Sequence, residues 1–214
     1  MALNKGTENP AAQAADSLPI DAALIEKLRE YTASAVNPKR YEHSVRTAET
    51  AERLCRRYGL DAQIGYFAGI VHDMCKDMDA EAIYSLAALD GEPVSVLETQ
   101  KKFLLHGRAA AVKLQKDFGI HNGDILEAVR VHTFGCAGMG DLAKVIYIAD
   151  KIEPGRAHSG ESYIQECIKL DLDKLLLKIA MENINYLKKQ KKAIAPATAD
   201  LIQSLQTDFL SEKE

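Results

Sequence analysis

The sequence predicts an all-α, single-domain helical bundle of roughly nine or ten helices, and three observations carry that expectation. Apolar residues recur at three- and four-residue spacing through most of the chain, the period of a helix buried along one face. Strand signals are scarce. There is no sustained alternation and no Asn-Gly hairpin, and the one strand-like patch, Val145-Ile146-Tyr147-Ile148, has flanks that continue a helical period. The third observation is size: 214 residues bury a substantial core without forcing a second domain.

Residues 1–17 (MALNKGTENPAAQAADS) are polar, Ala-rich and without an apolar period, so a disordered tail is expected ahead of one domain spanning 18–212. From Pro19, Ile20, Leu24, Leu28 and Tyr31 mark a first helix. Asn37-Pro38 punctuates, with Pro at a first helical position, and a long helix follows to about Tyr58, with Tyr41, Val45, Ala48, Leu54 and Cys55 on or near its inner face. Gly59 closes it. Asp61 caps the next helix, whose second half is the apolar run Phe67-Ala68-Gly69-Ile70-Val71 ending in His72-Asp73.

Asp79 starts a short helix through Leu89, and Asp90-Gly91-Glu92-Pro93 makes a turn. A brief helical piece from Val94 to Glu98 leads to Phe103-Leu104-Leu105-His106, where a helix starts that runs to about Phe118 and is stopped by Gly119. Asn122 or Asp124 opens a helix that includes Leu126, Val129 and His132. Gly135 to Gly140 is a flexible, Gly-rich loop. Asp141 then caps a helix holding Val145, Ile146, Ile148 and Asp150, which stops at Pro154-Gly155. Two amphipathic helices, about 171–190 and 198–211, are divided by Pro196, and the last few residues are expected to fray.

Composition excludes several classes. A net charge of −4 argues against a general nucleic-acid surface while leaving room for a local positive pocket. Cys55, Cys75, Cys136 and Cys167 form no CxxC pair and read as reduced thiols rather than a disulfide framework. No apolar stretch approaches the length of a membrane span, and the N-terminus lacks the order of a signal peptide. A cytoplasmic protein is expected, with no membrane partner. The sequence leaves a homodimer open.

The chemistry centres on His72-Asp73. A polar pair in a buried run needs partners, because an unpaired buried polar group costs roughly 2–7 kcal/mol. His43, His106, His132 and Asp150 sit in similar settings, each on or at the end of a separate predicted helix beside apolar residues. Singly, each reads as a helix-end residue bonded to a carbonyl. Together, imidazole and carboxylate suit iron, manganese, zinc or nickel. Six such groups exceed what one four-coordinate zinc needs, so two metals sharing Asp73 is the economical arrangement. No pair has HExxH spacing, so the site must be assembled from long-range contacts.

Lys76 lies four residues after His72, on the same face of a continuing helix, and can place an ammonium beside the metals. Arg156 follows the helix stop on a loop, where a guanidinium can grip phosphate oxygens in a fork. Asp77, four residues after Asp73, either orients metal-bound water or a ligand histidine, or pairs with Lys76 or a nearby lysine. Arg40 is expected to pair with an acidic neighbour. His121 and His158 lie in polar loops and are read as non-ligands, and Lys188 to Lys192 as a solvated helix end.

The set His43 … His72-Asp73 … Asp150 resembles the metal signature of the HD phosphohydrolase superfamily, and His106 and His132 resemble the two extra histidines of its binuclear branch. Four words are together similar to the bacterial YqeK family: Arg40-Tyr41-Glu42-His43-Ser44, Ala68 to Lys76, His132-Thr133-Phe134-Gly135, and Ala149-Asp150-Lys151-Ile152-Glu153-Pro154-Gly155-Arg156. The resemblance runs over about residues 37 to 190 and implies an HD-type fold with a binuclear iron-containing centre. It implies symmetrical cleavage of diadenosine tetraphosphate to two ADP, a small-molecule nucleotide substrate. The implied metal ligands are His43, His72, Asp73, His106, His132 and Asp150, with Asp73, Lys76, Asp77 and Arg156 in catalysis. Thr133 and Gly135 join Lys76 and Arg156 around the substrate. The sequence departs from the family in its longer tail, in Ala157-His158-Ser159-Gly160, where an aromatic and a Pro are more usual, and in Met74-Cys75, which fills the variable pair between Asp73 and Lys76. Another HD nucleotide hydrolase, a di-iron oxygenase and a non-catalytic nucleotide sensor are the alternatives.

Overall fold

The computed structural model describes residues 19–157 and 159–211. The 1–17 tail, His158 and the fraying expected at the extreme C-terminus lie outside the described residues. The described residues form eleven α-helices and no strand. In order they are α1 (Ala22–Ala35), α2 (Pro38–Tyr58), α3 (Ala62–Val71), α4 (Ala80–Ala87), α5 (Val96–Gln100), α6 (His106–Phe118), α7 (Gly123–Val131), α8 (Asp141–Ile152), α9 (Glu161–Cys167), α10 (Leu172–Lys189) and α11 (Pro196–Ser211). Short 3-10 turns cover Ala88–Asp90 and Lys102–Leu105.

Local chemistry sets the helix starts. Asn37 accepts from the Arg40 N–H with Pro38 as the first helical residue of α2, and Asp61 accepts from the N–H groups of Gln63 and Ile64. Ser95 and Glu98 form a reciprocal capping box on α5. Two boundaries and one helix differ from expectation. The piece expected from Val94 begins only after its Ser95 cap, and Pro196 opens α11 instead of standing outside it. Helix α9 was not expected at all, because seven residues are too few to display a helical period.

The core sits around α8, whose Val145 to Ala149 stretch is buried on every side. Around it pack α2, α3, α7 and α10. Two close helix approaches set the geometry that matters later. A Cβ on Gly69 of α3 would lie 2.5 Å from the Ala48 Cα of α2, so only glycine lets these helices meet. A Cβ on Gly107 of α6 would lie 2.8 Å from the Val129 carbonyl of α7. Gly69→Ala is therefore expected to destabilise the protein by about 1–3 kcal/mol as an overpacking change. Urea unfolding would check this, and an unshifted midpoint would contradict the close contact. No helix among the described residues is long and apolar enough to cross a membrane.

Candidate metal centre

Four histidines arrive at one place on four helices. Three of them use the same local device. The Nδ1 of His72 donates to the Gly69 carbonyl at 2.6 Å, that of His106 to Phe103 at 2.8 Å, and that of His132 to Val129 at 2.8 Å. Each acceptor is the carbonyl three residues back. For His72 and His132, just past α3 and α7, it belongs to the last helical turn, which the helix leaves without an intrahelical donor. Because a carbonyl only accepts, the proton must be on Nδ1, and each Nε2 lone pair is turned inward. The rings stack edge to face in a row, His43 on His72 (5.3 Å), His72 on His132 (4.8 Å) and His132 on His106 (4.9 Å).

Two carboxylates sit against this row. Asp73 Oδ1 is 2.9 Å from His106 Nε2 and 3.5 Å from His132 Nε2, while its Oδ2 is 3.8 Å from His72 Nε2 and 3.9 Å from His43 Nε2. Asp150 Oδ1 is 3.1 Å from His43 Nε2 and 3.9 Å from His72 Nε2. The donors fall into two overlapping groups, His43–His72–Asp150 and His72–Asp73–His132, each with its atoms within 4.8 Å of one another. His106 joins the second through its contacts with Asp73 and with His132 Nε2, at 3.0 Å.

Charge and burial agree with cation binding. Burial pushes His72 down to about 3 and His106 down to about 4, so both are neutral donors near pH 7. Burial alone would raise Asp73, but attraction to its imidazole neighbours as they take up protons outweighs it and holds the carboxyl well below the usual carboxylate range. For Asp150, Lys151, His43 and Arg156 do the same. Two features call for a cation. His72 Nε2 is buried without a hydrogen-bond partner. The Nε2 atoms of His106 and His132 face each other at 3.0 Å with both Nδ1 protons engaged elsewhere, a repulsive contact that a shared positive charge relieves. The donor set, imidazole nitrogen with carboxylate oxygen, fits divalent first-row metals.

Beside the His43 end opens a cleft of about 400 Å³ lined by Lys39, Arg40, Arg46 and Arg156, with Glu153 and Asn37. Four cationic side chains converge there in a protein of net charge −4. Arg156 donates from Nη2 to Asp150 Oδ1 at 2.5 Å and from Nε to the Asp150 carbonyl at 2.8 Å. At the other end of the row, Lys76 Nζ is 3.2 Å from the His106 ring nitrogens, and burial lowers its pKa. Thr133 Oγ1 lies 3.4 Å from His132 Nε2, facing the cluster.

The family model of the HD domain matches residues 40–155, more than half the chain and every residue of the cluster. The chain belongs to the HD domain family. It is 34% identical over 159 residues to the symmetrical bis(5'-nucleosyl)-tetraphosphatase of Bacillus subtilis (strain 168), covering 74% of this chain and 85% of that one. It is 32% identical over 180 residues to the enzyme of the same name from Staphylococcus aureus (strain NCTC 8325 / PS 47), covering 83% and 92%. A crystal structure from Clostridium acetobutylicum, described as a predicted HD superfamily hydrolase involved in NAD metabolism, superposes with a TM-score of 0.79 at 32% identity, over 86% of this chain and 97% of that one.

Within this HD domain, two of the expected site residues stand elsewhere. The Asp77 carboxylate accepts from the Asn37 backbone N–H at 2.8 Å and from its side-chain amide at 2.6 Å, so it pins the start of α2 instead of facing the cluster. The spacing argument for Asp77 needed a continuing helix, whereas α3 ends at Val71 and the chain proceeds in turns. Gly135 has φ +68° and packs against Leu201 of α11 and Tyr147, where it shapes the helix end and does not line the basic cleft. Arg40 pairs with an acidic residue as expected, but a distant one: Nη1 donates to Asp73 Oδ2 at 2.9 Å. Sequence reasoning missed Arg46, Lys39, Lys151 and Glu153. Lys151 donates to the His132 carbonyl at 3.0 Å and lies 3.7 Å from the centroid of the Tyr147 ring. The available signal for Glu153 was its place three residues after Asp150, just past the end of α8.

Proposed function

We propose that the protein hydrolyses dinucleoside polyphosphates, cutting diadenosine tetraphosphate at its central anhydride to give two ADP. Two divalent cations, iron by family resemblance, complete the site. His43, His72, Asp73 and Asp150 would hold one, and Asp73, His106 and His132 the other. When bound, such a pair polarises phosphoryl oxygens and eases deprotonation of water near neutral pH.

One observation carries this reading: the row of four imidazoles sharing Asp73 has cationic side chains at both ends. Arg156 and the cleft flank His43, and Lys76 flanks His106. A polyphosphate lying along that row has its negative charge matched on either side, which puts its middle bond against the shared carboxylate. Arg156 and Lys76 offset the charge that builds on the two departing halves. Thr133 places a hydroxyl among these groups, able to donate to a phosphate oxygen. The cleft favours phosphate chemistry over oxygen activation, which has no use for four cations at its edge. The four free thiols support a reducing, cytoplasmic setting.

The test is the product pattern on protein loaded anaerobically with ferrous iron. ADP should be the only early product, and in ¹⁸O-labelled water half of the ADP molecules should carry label on the terminal phosphate. Early AMP and ATP in equal amounts would mean asymmetric cleavage and would reject the proposed substrate placement.

A further inference from the structure

His43 is the exception among the four histidines. It lies inside α2, where backbone carbonyls are already engaged by helical N–H groups, so it has no free carbonyl of its own to orient Nδ1. Its Nδ1 meets instead the Oε1 of Glu153, at 3.1 Å, from a residue 110 positions away. Glu153 is 2% exposed. Its other oxygen accepts from Arg46 Nε at 2.6 Å and from the Gly155 N–H at 2.5 Å. Burial would raise this carboxyl, yet the bonds from His43, Arg46 and Gly155 hold it at about 2. A Cβ on Gly155 would lie 2.4 Å from Arg46 Nη2, so the guanidinium is packed flat against the loop. Arg46, Gly155 and Glu153 all line the cleft.

We propose that Glu153 is a positioning residue that fixes His43 with its Nε2 toward the cation site and, through Arg46 and Gly155, fastens that ligand to the wall of the phosphate cleft. The inference rests on the metal-dependent reading above. It makes one side chain responsible for two separable properties: the affinity of the cation at the His43 end, and the grip on substrate. Gln has the same volume but only one acceptor oxygen, so Glu153→Gln cannot serve three donors at once.

Manganese(II) titration followed by electron paramagnetic resonance tests this directly on the full chain. The wild type should bind two ions. Glu153→Gln should bind one with unchanged affinity and the other about 10–100-fold more weakly, the range for losing a group that orients a ligand histidine. At saturating manganese its KM for diadenosine tetraphosphate should stay raised, because the cleft wall is loose. Gly155→Ala, which displaces only Arg46, should raise KM while both ions bind normally. If Glu153→Gln fails to fold, Glu153→Asp, which keeps the charge and shortens the reach, should still weaken one ion selectively. Wild-type affinity for both ions together with wild-type KM would overturn the inference. So would equal weakening of both ions with a lowered melting temperature, the signature of a merely structural role. A wild type that binds fewer than two ions would overturn the metal reading itself, and this inference with it.

Discussion

Asp73→Ala is expected to strip both cations from the protein and reduce hydrolysis to background. No other carboxylate faces both halves of the site: Oδ1 lies beside His106 and His132, and Oδ2 beside His72 and His43. Removing a group that merely orients a ligand already costs about 10–100-fold in metal affinity, so losing a carboxylate common to both ions should cost more than that at each. The substitution also leaves the opposed lone pairs of His106 and His132, 3.0 Å apart, without a nearby negative charge to hold a cation between them. His106→Ala and His132→Ala should instead leave about one ion per chain, because each touches only one half. Elemental analysis of folded protein checks all three, and unchanged metal content in the Asp73 variant would remove it from the ligand set.

The second large effect is expected from Arg156→Ala. This side chain is still partly exposed and holds Asp150 from the cleft side, so it can exchange that contact for a phosphate oxygen. Its loss should leave both ions bound, since Asp150 keeps its contacts with His43 and Lys151. Turnover should fall by about 10²-fold or more, the range for removing a donor aimed at developing charge. If the guanidinium grips chiefly as charge develops, kcat falls more than KM rises, the opposite balance to that expected for Gly155→Ala. Lys76→Ala should behave like Arg156→Ala from the other end of the row. Steady-state kinetics decides, and wild-type constants would make either residue a bystander.

Much of this was legible in the sequence because buried polar residues are conspicuous. His43, His72, Asp73, His106, His132 and Asp150 each interrupt an apolar helical period, and the structure places them in one cluster. His121, in a polar loop, is exposed and outside it. What sequence spacing could not show were pairings between distant helices. Arg46 on a helix reads by default as a solvated charge, and nothing local announces a carboxylate 107 residues away. Asp77 was misplaced for the opposite reason, since a spacing rule was applied across a helix end. The seven residues of α9 carry too short a pattern to be seen.

The backbone bonds of the histidines also determine where heritable damage can enter. His72, His106 and His132 are oriented by carbonyls at Gly69, Phe103 and Val129, and a carbonyl survives any exchange of side chain. His43 is oriented by the carboxylate of Glu153, which a single base change in its codon can remove. Substitution at those three positions leaves the acceptor atom in the backbone, though at Gly69 a side chain would press α3 off α2, whereas the acceptor for His43 is itself the side chain of one glutamate.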